Sequence, residues 1–250
     1  MRAMQRQPDK RRIVPKAGRV TERAPTLPEQ VLHDAHFLIT AARWAQLPTE
    51  GMPEIAFAGR SNAGKSSAIN ALTRRARLAF ASKTPGRTRH INFFRLRSGA
   101  LLADLPGYGY AEVPGSVRRD WQQFLARYLA ERASLVGLVM VMDARHPITE
   151  LDQQTLDWML PARFPVHILL AKSDKLSRPE QSRTLKQVSY ALEKNHAGKD
   201  LSVQLFSAVK REGIEEACAV IASWLDGAKK KGPGVKGSDT GPKNALRSVR

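Results

Sequence analysis

Eight residues, Gly59-Arg60-Ser61-Asn62-Ala63-Gly64-Lys65-Ser66, have the types and the spacing to cradle a phosphate. They fit G-x-x-x-x-G-K-[ST], in which glycines at both ends let the backbone curl until successive N–H groups face an anion. Lys65 can reach the β- and γ-phosphates of a nucleotide, and the Ser66 hydroxyl can take one site on Mg²⁺. The flanks supply the context this loop requires: Glu54-Ile55-Ala56-Phe57-Ala58 reads as a buried strand and Ser67 to Leu72 as the first turns of a helix.

Three more groups stand where strands should end. Asp104-Leu105-Pro106-Gly107 offers a carboxylate that can hold Mg²⁺ through water and a Gly107 N–H that can sense a γ-phosphate. Ala171-Lys172-Ser173-Asp174 offers a carboxylate able to accept from N1–H and N2 of guanine, donors that adenine lacks, with a lysine stem to cover the base. In Phe206-Ser207-Ala208, small residues let a backbone N–H approach guanine O6. Each group is common alone; their order along one chain gives them meaning. The stretch Thr84-Pro85-Gly86-Arg87-Thr88-Arg89-His90 adds a loop hydroxyl that could close on Mg²⁺, and by chemistry alone Thr84 and Thr88 both serve. His146, in Asp143-Ala144-Arg145-His146, precedes a proline and reads as an exposed loop histidine or a partner contact rather than a catalytic base.

Elements must position these groups, and the pattern predicts an alternating order. A helix is expected from Pro28 to about Trp44, where Val31, Leu32, Ala35, Leu38, Ile39 and Ala42 recur at helical spacing. Ile91–Leu96 and Leu101–Asp104 form an expected hairpin, followed by a helix over 116–132, a strand over 135–143 and a helix over 149–160. A strand over 166–171, a helix at about 179–194, a strand over 202–206 and a helix over 212–226 complete the order. The fold class is α/β: a mostly parallel six-stranded sheet with one antiparallel edge hairpin, helices on both faces and ligand at the C-terminal strand ends. Trp121, Phe124, Tyr128 and Trp224 fall at helical spacings and are expected in the core.

The 250 residues carry a formal charge of +18, concentrated at the ends. Residues 1–30 hold eight Lys/Arg against three acidic residues, and residues 228–250 hold seven against one. The expected organisation is a basic, disordered arm over 1–27, one domain over 28–227 and a basic, disordered tail over 228–250. Such a balance favours a polyanionic partner through counterion release. The lone cysteine, Cys218, excludes an intramolecular disulfide and lies on an apolar helix face as a structural thiol. The longest apolar run, 135–142, suits a central strand rather than a membrane span. The Arg-rich N-terminus has no hydrophobic segment for secretion, and Asp9, Glu22 and Glu29 disfavour a transit peptide, so a cytoplasmic location is expected.

Taken together, Gly59–Ser67, Thr84–Thr88, Ile91-Asn92-Phe93-Phe94, Asp104-Leu105-Pro106-Gly107-Tyr108-Gly109-Tyr110, Lys172-Ser173-Asp174-Lys175-Leu176 and Phe206-Ser207-Ala208 resemble the EngB (YihA/YsxC) family of the Era-like (TrmE-Era-EngA-EngB) GTP-binding proteins. The resemblance spans about residues 28–226, and its specific part is D-L-P-G-Y-G-Y together with P-G-[KR]-T. It implies a P-loop NTPase G domain and a monomeric GTPase that needs Mg²⁺. Its implied partner is the large (50S) ribosomal subunit and its rRNA during assembly, with an association with cell division and septation. It further implies that Thr88 joins Ser66 on the metal, that Gly86, Arg87, Thr88, Arg89 and His90 line the nucleotide, and that Lys65, Thr88 and Gly107 serve the transferred phosphoryl group. Tyr108 stands where many GTPases carry a water-positioning glutamine, so slow unaided hydrolysis is expected. Asn62 occupies the position that binds K⁺ in potassium-activated relatives. Ala171 departs from the usual Thr or Asn, whose absence implies a loss of about 1 kcal/mol in nucleotide binding. A GTP-signalled regulatory module of the division machinery is the alternative from another class; an ATP-dependent kinase is disfavoured by Asp174.

Overall fold

The computed structural model describes residues 27–49, 51–80, 90–108, 115–159 and 164–231. The strands are β1 (His36–Ala41), β2 (Glu54–Gly59), β3 (Ile91–Arg95), β4 (Leu101–Asp104), β5 (Leu135–Asp143), β6 (Val166–Ala171) and β7 (Leu201–Leu205). The α-helices are α1 (Leu27–Gln30), α2 (Lys65–Leu72), α3 (Gly115–Glu131), α4 (Glu150–Met159), α5 (Arg178–Asn195) and α6 (Ile214–Lys231). The strands form one sheet in the order β1-β3-β4-β2-β5-β6-β7. β3 pairs antiparallel with both neighbours, and every other pairing is parallel.

Alternation along the central strands divides the core in two. On β5, Leu138, Met140 and Met142 face one layer, packed with Leu125 and Tyr128 of α3, Leu156 of α4 and Val188 and Leu192 of α5. Val139 and Val141 face the other, with Ile69 and Leu72 of α2 and Cys218, Ile221 and Leu225 of α6. This two-residue period on a sheet covered on both faces is what a parallel α/β sheet demands. Tyr128 is fully buried and Phe124 and Trp224 pack against the two layers, as expected of core aromatics; the Trp121 side chain lies outside the described residues.

Two expectations are corrected. The stretch expected as one helix from Pro28 to Trp44 is instead the four-residue α1, the strand β1 and a 3₁₀ turn at Trp44–Gln46, which raises the sheet from six strands to seven. The antiparallel edge of β3 supplies the reason: β1 satisfies its N–H and C=O groups, with Ala41 opposite Ile91 and Phe37 opposite Phe94. A register irregularity between Phe37 and Ile39 disguises the strand's alternation. The second correction is α6, which continues past 226 to Lys231. Lysines in its last turn complement the negative end of the helix dipole, and Lys229 pairs with Asp226 at 3.5 Å.

At the end of the sheet remote from the motifs, a buried ion pair anchors α3 to β2. Arg132 contacts both carboxylate oxygens of Glu54, Tyr128 Oη donates to Glu54 Oε2 at 2.9 Å, and Arg132 Nη2 donates to Pro48 O at 2.7 Å. Arg132→Ala strands a fully buried carboxylate and is expected to cost about 3–5 kcal/mol. Urea unfolding measures it, and a loss below about 1 kcal/mol would show that the pair anchors nothing.

Candidate functional site

β2 delivers the chain to Gly59, where a side chain has no room: a Cβ there would sit 2.7 Å from Val141 O on the adjacent β5. The loop then turns through Asn62 at φ 61° and Gly64 at φ 113°, both left-handed, and closes with Ala63 N–H donating to Arg60 O at 3.0 Å. Gly64 caps α2 without a side-chain hydrogen bond, so the first N–H groups of α2 face the loop's interior. Lys65 and Ser66 open the helix, both half-buried.

The other motifs arrive from neighbouring strand ends. Asp104 closes β4, and its Oδ1 is ion-paired with Lys65 Nζ; both side chains are largely shielded from solvent. Leu105 and Pro106 are buried behind it, and Gly107 passes over the loop, where its Cβ would lie 3.4 Å from Ser61 N. Ala171 closes β6 with its methyl group 3.3 Å from where a Gly64 side chain would begin. Its small size thus belongs to the packing of β6 against the phosphate loop.

Lys172 follows at φ 61°, a left-handed conformation that costs a non-glycine residue about 1–2 kcal/mol. Its side chain offsets that strain: Nζ donates to Asn62 O at 2.6 Å and to Asp143 Oδ2 at 2.9 Å. Asp143, at the end of β5, also receives Arg145 Nε at 2.9 Å and Arg145 Nη2 at 2.7 Å. Burial alone would raise the Asp143 pKa, but hydrogen bonds from Arg145 and Lys172 outweigh it and hold the carboxyl well below its usual range. Asp174 accepts from Ser207 Oγ at 2.7 Å, which lowers its pKa, and Ser173 N–H donates to Phe206 O at 3.2 Å. Phe206 and Ser207 are buried, and Ala208 is half-buried beside them.

The structure therefore gathers Gly59–Ser66, Asp104–Gly107, Ala171–Asp174 and Phe206–Ala208 at one end of the sheet. Thr84, Gly86, Arg87, Thr88 and Arg89 lie outside the described residues; His90, half-buried, immediately precedes β3, two residues before Asn92, which pairs with Asp104. His146 is exposed, in keeping with a non-catalytic loop residue.

Two connections escaped the sequence reading. Asp143 joins β5, Lys172 and the phosphate loop, although the sequence marks it only as one polar residue at a strand end. The other is Tyr108, whose Oη donates to Asp152 Oδ1 of α4 at 2.9 Å while its carbonyl accepts from Ser61 N–H at 3.3 Å. Burial, together with the Asp152 carboxylate, pushes the Tyr108 pKa upward, so the phenol stays protonated and engaged. Asp152 is fully buried and also accepts from Thr149 N–H at 3.0 Å and Thr149 Oγ1 at 2.7 Å. The spacing Thr149-x-x-Asp152, a capping-box pattern, marks Asp152 as a helix-start residue but carries no sign of its bond to Tyr108.

A family described as "50S ribosome-binding GTPase" matches residues 54–172. The chain is 53% identical over 208 residues to the probable GTP-binding protein EngB of Azoarcus sp. (strain BH72), covering 83% of this chain and 99% of that one. The chain belongs to the EngB family of GTPases. EngB proteins of Thiobacillus denitrificans (55% identical over 195 residues, 78% and 93% covered) and Neisseria meningitidis serogroup B (54% over 198 residues, 79% and 94% covered) are similarly close. A crystal structure of a probable EngB protein shares the fold, with a TM-score of 0.56 at 23% identity over 70% of this chain and 99% of that one. As a member of the EngB family the chain binds GTP and GDP and hydrolyses GTP to GDP and phosphate, and the fold is that of a P-loop GTPase.

Proposed function

We propose that this EngB-family GTPase is a Mg²⁺-dependent switch that engages the large ribosomal subunit during its assembly and leaves on hydrolysis, thereby supporting growth and division from the cytoplasm. The observation that carries it is the wiring of the strand-end motifs into one site: Lys65 to Asp104, Lys172 to Asn62, and Ser207 to Asp174. The ribosomal partner is supported by the family description "50S ribosome-binding GTPase" and by the +18 charge.

The residues present fit Mg²⁺. Ser66, next to Lys65 in the chain, and Asp104, ion-paired with it, offer hard oxygen donors, and among the described residues no cluster of His, Cys, Asp and Glu competes for a metal. Ser66 and Thr88 would hold the ion directly, with Asp104 acting through water. When bound, the ion would supply neutralisation of the charge that develops on the phosphates. With nucleotide present, Lys65 would exchange its carboxylate partner for phosphate oxygens, which frees the Asp104 carboxylate. Gly59 to Ala63 and the N-terminus of α2 hold the phosphates by backbone N–H groups, and Gly107 N–H reports the γ-phosphate. By the family resemblance, Gly86–Arg89 and His90 would line the nucleotide.

Asp174 is held ionised by Ser207, the state needed to accept from guanine, while Lys172 and Ala208 flank the base. Asp174→Asn should reverse the preference from GTP toward xanthosine triphosphate; competition binding that still favours GTP would refute the assignment.

Hydrolysis is slow without help, because the Tyr108 hydroxyl donates to Asp152 and is directed away from the role that glutamine plays in orienting water. Asn62, exposed on the loop's rim in a left-handed turn, would give K⁺ an oxygen ligand near the transferring phosphate. Turnover should rise in K⁺ over Na⁺, and equal rates would exclude the cation's role.

The partner is tested by cosedimentation with purified 50S subunits. Binding in a non-hydrolysable GTP analogue, lost in GDP and weakened steeply by salt, is expected; no cosedimentation in either state would favour a regulatory module with no direct ribosomal role.

A further inference from the structure

α5 turns one face to the core and another outward, and the outward face has a chemistry that stability does not explain. Inward, Val188 and Leu192 are buried and Leu185 packs against the same layer. On the opposite side, Arg183, Lys186, Gln187, Tyr190 and Lys194 are all exposed. Positions 183, 186, 190 and 194 recur at helical spacing, so they form one stripe about 17 Å long at 1.5 Å per residue. Tyr190 stands in its middle with 67% of its surface exposed. Lys194 has a local reason to be there, since it lies in the last turn of α5 where a cation complements the dipole. Lys186 and Tyr190 have none. A large aromatic left in water between cations is a poor arrangement for solubility and a good one for a base flanked by phosphates.

We propose that this face of α5 is an RNA-docking surface, in which Tyr190 stacks on one unpaired base while Arg183, Lys186 and Lys194 contact the phosphates around it. The partner is RNA rather than an acidic protein because the aromatic offers a flat, sequence-tolerant platform, and cations four residues to either side match a strand's regular charge. Glu180 and Glu193 do not cancel the stripe. Glu180 is engaged first with Ser177, its Oε2 accepting from the backbone N–H at 2.7 Å and from Oγ at 2.6 Å, and reaches only Arg183 of the stripe, leaving Lys186 and Lys194; Glu193 lies beside the stripe rather than within it.

The position of α5 gives this contact a route to the nucleotide. Its first turn is fixed by the Ser177–Glu180 capping box, and Gln181 Nε2 donates to Ser173 O at 2.9 Å and to Leu176 O at 3.1 Å. Ser173 and Asp174 are consecutive, so the helix that carries the stripe is bonded directly to the segment that carries Asp174.

The proposal rests on the ribosomal reading above and is tested beside it. Full-length protein in the GTP-analogue state is titrated with intact 50S subunits and with deproteinised large-subunit rRNA across a salt series. Tyr190→Ala should weaken rRNA binding about tenfold, and Tyr190→Phe should restore it, since stacking needs the ring and not the hydroxyl. Lys186→Gln should lower the slope of log K against log salt by about one. None of these residues lies among the nucleotide motifs, so GTP affinity should not move, and an unchanged GTP titration certifies folding. Wild-type binding that Tyr190→Ala and Lys186→Gln leave intact overturns the α5 surface alone. Loss of binding to 50S subunits but not to bare rRNA overturns the RNA assignment in favour of a ribosomal protein. Failure of the wild type to bind either overturns this proposal and the ribosomal reading together.

Discussion

Three carboxylates stand at the C-terminal ends of the sheet, and the site depends on how their charges are held. Asp104 leans on Lys65, Asp143 on Lys172 and Arg145, and Asp174 on Ser207 with Lys175 at 3.7 Å. Carboxylates gathered this way repel one another and anionic phosphates alike, so each requires a donor on a different segment. Those donors join the segments. Lys172 spans from the end of β6 to Asp143 on β5 and Asn62 in the loop, which makes one ammonium group a brace across three consecutive parts of the site. Opposed charge thus fixes the loops' positions as well as tuning their chemistry.

Tyr108 extends the same logic by a neutral group. Its phenol ties the segment after Gly107 to Asp152 in α4, and its carbonyl ties it to Ser61 in the loop. A movement of the backbone at the γ-phosphate end bears on both bonds. Breaking the first leaves a buried carboxylate oxygen short of a donor, at a cost of about 1–3 kcal/mol. That magnitude is of the size that separates two states of a switch.

Much of this was legible in the chain because the decisive signals are short and local. A glycine-rich loop between a buried strand and a helix, followed by three strand-end groups in order, specifies the sheet and its functional end. β5 and β6 fall on the predicted residues, since uninterrupted apolar runs on a central strand leave little choice. β1 failed for the opposite reason. It lies at the sheet's edge, leaves Phe37 57% and Ile39 38% exposed, and owes its strand state to β3, more than fifty residues later. The links from Lys172 to Asp143 and from Tyr108 to Asp152 also lay beyond reach, because they join residues 29 and 44 positions apart through side chains alone. Tyr190 was hidden by its own helix, whose periodic apolar side is easy to see and whose outer side looks like ordinary solvated surface.

The reversal of β3 has a consequence for how the chain economises on loops. Because β3 runs against the rest of the sheet, it starts at the end where β2 and β4 finish. His90 is therefore delivered to the phosphate end two residues before Asn92, whose partner across the ladder is Asp104. One hairpin then functions as a ruler: His90 at its entrance and the Asp104 carboxylate at its exit are held in fixed register, and the turn at Gly99 that sets the count lies at the far end of the sheet. Sequence drift at that turn can change its shape freely so long as the count between the two ends is kept.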